Sequence, residues 1–377
     1  MIGRIMKMVR FPRLMLAVGL AFGAPAHADG PKVLENRSIG YLLTDFFWAV
    51  YETPDAKQEC PQGLVTWGPR EQFKALYPED GTPRTVQDTW LAREIAAWFP
   101  KSDEPDKFPF YEAQGPISYG FNLDGKVGPN DFTSPEGEKG IDNQLYRVIG
   151  CVPNLRPPLG QTAFFANKAI GEERWNRMLI EVTNVDDLTN DDDVDVTIYR
   201  GKDHILTDAT GNTIMSGGSQ RIDDKWGKKF VQRMHGRIKD GVLETIPVKY
   251  AVLPWSSFQL PTVQKFHDMR MRLKLTPTAA EGLIGGYVDV ENWYMQTVRS
   301  ESTHHQSYGQ SSPPSEYKVL RRLADAYPNA QGVNTAISAA LQTKLVQAFV
   351  IHPAHETTPQ YLAESKGPLQ TAKAADR

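Results

Sequence analysis

Apolar and polar positions alternate most cleanly between residues 269 and 275. Met269, Met271, Leu273 and Leu275 are separated by Arg270, Arg272 and Lys274. A period of two sends successive side chains to opposite faces of a strand, so the stretch predicts one buried face and one basic face in water. Val194, Val196 and Ile198 alternate with Asp193, Asp195 and Thr197 in the same way. Further strands are expected over 178–182, 230–234, 242–246 and 283–290. They are separated by turn-forming pairs such as Gly217-Gly218, Asp240-Gly241 and Gly285-Gly286. Many short strands without intervening helices predict a mainly β fold, an antiparallel β-sandwich or jelly-roll-like domain over residues 116–300.

Helical spacing flanks this region. Leu91, Ile95 and Phe99 recur at helical intervals between Thr85, a cap, and Pro100, a stop. After a polar stretch over 300–314, Tyr317, Leu320, Leu323, Ala324 and Tyr327 form one helical face before Pro328. A second element over 335–350 carries Ile337, Leu341, Leu345 and Phe349 and reads as helix turning extended near its end. The organisation expected is a mixed N-terminal segment 29–115, the sandwich 116–300, helical flanking elements over 301–352 and an aperiodic tail 353–377.

The first residues change the picture. Arg4, Lys7, Arg10 and Arg13 precede a short apolar run, Leu14 to Phe22, and then Ala26-His27-Ala28. This is the three-zone pattern of a cleaved secretory signal, with a mature chain starting at Asp29 in the periplasm or outside the cell. The run is too short to span a bilayer, and no later segment is long and apolar enough to do so. Removing four positive charges and no acid takes the formal net charge from −3 to −7. That acidity argues against nucleic acid and against anionic lipid as partners. The only two cysteines, Cys60 and Cys151, are expected to form a disulfide in an oxidising compartment.

One loop carries candidate metal chemistry. Asn122, Asp124, Gly125, Val127 and Asp131 fall on the third, fifth, sixth, eighth and twelfth places of an EF-hand-type loop. The first place holds Gly120, and Pro135, Gly137 and Gly140 forbid the exit helix. The pattern leaves two readings. The commoner is an ordinary turn at Asp124-Gly125. The other is an irregular calcium site drawing on Asn122, Asp124, Asp131, Asp142 and Asn143. The acidic run Asp186 to Asp193 reads as a solvated loop, and His304-His305 and His352 with His355 read as surface histidines rather than zinc ligands. No nucleophile elbow, phosphate loop or haem-attachment motif is present.

The run FTSPEGEKGIDNQLYRVIGC (residues 132–151), with the stretches 177–200 and 282–294, resembles a family of uncharacterised secreted proteobacterial proteins. The resemblance implies export and brings no activity or site with it. The residues therefore favour an exported binding or accessory protein for a glycan or envelope polymer. The alternatives are a polysaccharide hydrolase or lyase, and a structural component of the envelope. A cleft holding neighbouring carboxylates would favour the enzyme, and a flat sheet with exposed aromatics would favour binding.

Overall fold

The computed structural model describes residues 36–65, 110–157, 160–171, 175–256, 261–300 and 313–353. The expected signal segment, the helix over 86–99, His304-His305, His355 and the tail beyond 353 lie outside them. In chain order the elements are β1 (Ser38–Trp48), β2 (Phe132–Thr133), β3 (Lys139–Ile141), α1 (Gln144–Ile149), α2 (Gln161–Gly171), β4 (Met178–Thr183) and β5 (Asp191–Arg200). There follow β6 (Gly218–Arg221), β7 (Gln232–Lys239), β8 (Val242–Thr245), β9 (Val248–Trp255), β10 (Thr262–Leu275), β11 (Ala279–Asp289) and α3 (Val290–Ser300). The last are α4 (Pro313–Leu323), β12 (Ala326–Pro328) and β13 (Asn334–Ile351).

The main sheet closes on itself. Its strands run β1-β4-β5-β7-β8-β10-β11-β13, each antiparallel to the next, and β13 pairs with β1 as well as with β11. The expected sandwich is therefore corrected to an eight-stranded antiparallel barrel. Register sets apolar residues opposite one another around the ring. Tyr41 faces Ile180, Ile180 faces Ile198, and Val196 faces Met234. Leu243 faces Ile238 and Leu273, Ile284 faces Met271 and Leu341, and Leu345 faces Leu43. All belong to one buried cluster, so the barrel interior is a packed core rather than a channel. The rings of Phe46, Trp48, Trp255, Phe266 and Trp293 extend that core, with centroid separations of 4.9–6.3 Å.

One further expectation is corrected. Residues 335–350 are strand, not helix: they form most of β13, whose pairing with β1 and β11 closes the barrel. The spacing of Ile337, Leu341 and Leu345 by four is common to a helix face and to one side of a strand. Pairing on both edges decides for the strand. β11 gives way to α3 at Val290, and Trp293 and Tyr294 are buried on that helix. β1 and β13, which lie outside the stretch 116–300, pair with each other in the same sheet as its strands.

The basic stripe of β10 is not simply wet. Arg270 donates to the carbonyls of Asn122 and Leu123 at 3.3 and 3.2 Å. Arg272 bridges Glu138 at 2.8 Å and Glu244 at 3.1 Å. The two guanidiniums tie the segment 119–142 to the outer wall of the barrel. Phe121 and Leu123 pack there with Tyr287, Leu283 and Ala336. Gly285 permits the close approach, since a Cβ in its place would meet the Phe121 ring at 2.5 Å.

Candidate functional site

A cavity of about 550 Å³ opens between that segment, the start of α1, the wall strand β11 and the end of α4. Four carboxylates line it: Asp124, Asp131, Asp142 and Asp325. Two guanidiniums, Arg147 and Arg322, and the Tyr287 ring complete its polar lining with Asn130 and Gln144.

The loop carboxylates shape the wall that carries them. Asp142 Oδ2 accepts from the backbone of Leu123 at 2.7 Å and of Asp124 at 3.4 Å. Asp124 Oδ1 accepts from the Lys126 amide at 2.8 Å, and Asp131 Oδ2 accepts from the Gly128 amide. Such short-range bonds are what Asp contributes to turns. Gly140 sits opposite with φ of +79°, and a Cβ there would collide with the Lys126 carbonyl and with Asn122. Gly140→Ala is accordingly expected to cost about 1–3 kcal/mol, because the backbone conformation itself is strained for an L side chain. The check is the denaturation midpoint. An unchanged midpoint would mean that the loop accommodates the side chain.

Asp325 stands at the exit of α4. Its Oδ1 accepts from the Ser338 amide at 2.8 Å, and its Oδ2 accepts from the Ser338 hydroxyl at 2.6 Å. The same hydroxyl accepts from the Gln144 amide at 2.9 Å, so its proton is directed at the carboxylate. This chain fixes Asp325 against β13 and α1. Asp325 is a solvent-exposed residue at the cavity edge, with its carboxyl set against the protein. Partial loss of bulk water on that side, with the negative charge of Asp142 close by, pushes its carboxyl up to about 6 against the bonds from Ser338. Burial also raises Asp142, and the charges of Asp124 and Asp131 add to the effect.

Tyr287 reaches the cavity from β11 and is 9% exposed. Burial and the charges of Asp142, Asp325 and Asp124 hold its phenol above the usual range. Outward from it runs a row of rings: Tyr327 at 5.9 Å, then His267 at 4.2 Å from Tyr327, then the exposed Tyr250 at 5.3 Å from His267. Tyr327 and Asp268 both have left-handed backbone, with φ of 57° and 49°, and the Tyr327 hydroxyl donates to Asp268 at 2.6 Å. Left-handed backbone at two non-glycine residues joined by one hydrogen bond is strain that the surrounding structure must hold in place.

The two arginines differ. Arg147 donates to Gln144 Oε1 at 3.1 Å and to the carbonyls of Ala113 and Asn130, and lies 4.3 Å above the Phe132 ring. Burial among these neutral acceptors lowers its pKa from the ordinary value. Arg322 is half-exposed and pairs with Glu112.

Of the five residues proposed as calcium ligands, Asp124, Asp131 and Asp142 meet at this cavity. Asn122 donates to the Lys126 carbonyl at 2.8 Å. Asn143 is buried behind the wall, where its amide donates to Ala49, Ser118 and Tyr119. Among the described residues no three carboxylate, imidazole or thiol side chains are close enough to share a metal ion. The Cys60–Cys151 disulfide is present, with a Cα–Cα separation of 5.7 Å. Sequence reasoning missed Asp325 and Ser338, which carry no motif. Comparison with known protein families, curated proteins and solved structures finds no match.

Proposed function

We propose that the protein is an exported glycan-cleaving enzyme whose acid/base pair is Asp325 and Asp142. One observation carries this reading: Asp325 and Asp142 line one cavity, and the surroundings of Asp325 raise its carboxyl to about 6. A general acid works best with a pKa near the working pH, and environments that raise carboxyl pKa values serve that end. In hydrolysis, Asp325 gives its proton to the glycosidic oxygen as the bond from that oxygen to the anomeric carbon breaks. Asp142 takes a proton from the water whose oxygen bonds to the same carbon. Tyr287 in the cavity is followed by the neighbouring rings of Tyr327, His267 and the exposed Tyr250, whose faces suit stacking on further sugar rings of a polymer. The disulfide is consistent with work outside the cytoplasm.

The test is the release of new reducing ends from purified envelope polysaccharides and soluble oligosaccharides across pH 4–8. The proton on Asp325 is lost as pH rises through about 6, so the rate is expected to fall above that point by about tenfold per unit. Binding of the same glycans with no release at any pH would overturn the enzyme reading in favour of an accessory binding protein.

A further inference from the structure

The distribution of charge in the cavity says which glycans it should prefer. We propose that the cavity recognises an ammonium group carried on a polyhydroxylated ligand, so that the preferred substrate is an amino sugar. This rests on the glycan reading above.

Four carboxylates face two guanidiniums, and one of those, Arg322, is matched by Glu112. Arg147 is held by neutral acceptors, and Arg270, whose charge reaches Asp142, is bonded to the carbonyls of Asn122 and Leu123, so no ion pair among the described residues joins a cation to the four aspartates. Each loop aspartate spends one oxygen on its own turn. Asp124 Oδ2, Asp131 Oδ1 and Asp142 Oδ1 make no hydrogen bond to another described residue.

Tyr287 points to a ligand independently of the acids. Its side chain is more than nine-tenths buried and lines the cavity, yet its hydroxyl bonds to no described residue. The hydroxyl faces the cavity, where a ligand can reach it. It lies in the field of three carboxylates, Asp142, Asp325 and Asp124, which outnumber the one guanidinium acting on it, Arg270. A group arriving there meets an acceptor lone pair in surroundings of net negative charge. An ammonium supplies three donors and a positive charge and so forms charge-assisted hydrogen bonds, whereas a neutral hydroxyl or acetamide gains only ordinary ones. Protein walls strengthen the Coulomb attraction relative to open water.

The experiment compares binding of glucosamine oligosaccharides, N-acetylglucosamine oligosaccharides of the same length, and spermidine, by calorimetry at pH 7. The free-amine oligosaccharide is expected to bind about tenfold more tightly than its acetylated counterpart, with the advantage shrinking as salt rises. In an Asp124→Asn, Asp131→Asn variant, which keeps both turn acceptors, the advantage should fall below about threefold. Equal or tighter binding of the acetylated oligosaccharide by the wild-type protein overturns the ammonium inference and leaves the glycan reading standing. Binding of spermidine alone supports the ammonium site and overturns the glycan reading. Binding of none of the three overturns both.

Discussion

Asp325→Asn is expected to lower the rate of glycan cleavage by about 10²- to 10⁴-fold with little change in KM, the usual consequence of removing a general acid. Asparagine keeps an acceptor for the Ser338 amide, so the side chain should stay in place while losing the proton it delivers. Stability separates this from a folding defect. The folded-state carboxyl of Asp325 is raised to about 6, above its unfolded value. The folded form therefore holds the proton more tightly, and ionisation in the cavity weakens the fold progressively as pH rises from about 4 to 6 and throughout the range above. The asparagine variant cannot ionise. Its melting temperature should match or exceed that of the wild type at pH 7–8, and lose that advantage near pH 4. Asp142→Asn should also abolish most activity, and it removes the charge that helps to raise Asp325, so the pKa of Asp325 should fall. A variant at either position that cleaves at the wild-type rate would dismiss the pair.

Removing the disulfide, as Cys60→Ala with Cys151→Ala, is expected to cost about 4–5 kcal/mol in the chain-entropy account of loop closure. The bond joins residues 91 positions apart. Both cysteines are buried, and the Glu59 carboxylate beside them accepts from the Thr53 amide at 3.0 Å and pairs with Arg156 at 2.8 Å. The disulfide fastens the segment after β1 to the C-terminal end of α1. α1 presents Gln144 and Arg147 to the cavity. Loss of the bond should therefore lower ligand affinity as well as the denaturation midpoint. Urea denaturation with and without reductant measures the first effect, and calorimetry on the double variant measures the second. Two titratable thiols in denatured, unreduced protein would show that the bond does not form.

Short-range signals on this chain were legible because they are written in one dimension. The alternation of Met269, Met271, Leu273 and Leu275 identifies β10, and that of Val194, Val196 and Ile198 identifies β5, since a strand's two faces repeat every second residue. The pairing of Cys60 with Cys151 needed only a count. The cluster of oxygen donors around Asp124 and Asp142 marked one wall of the cavity, because turn-forming Asp and Gly residues lie close along the chain.

What tertiary structure decided is the closure of the sheet and the assembly of the site. Alternation says which side chains share a face but not which strands pair, so sandwich and barrel carry the same local pattern. The partners that close this barrel, β1 and β13, lie about 300 residues apart. β13 was read as helix because Ile337, Leu341 and Leu345 fit both periods; two neighbouring strands, not propensity, fix it as extended. The same long reach brings Asp325 to Asp142. Neither carboxyl has an unusual neighbour in sequence, and their raised pKa values come from the walls and charges that folding gathers around them.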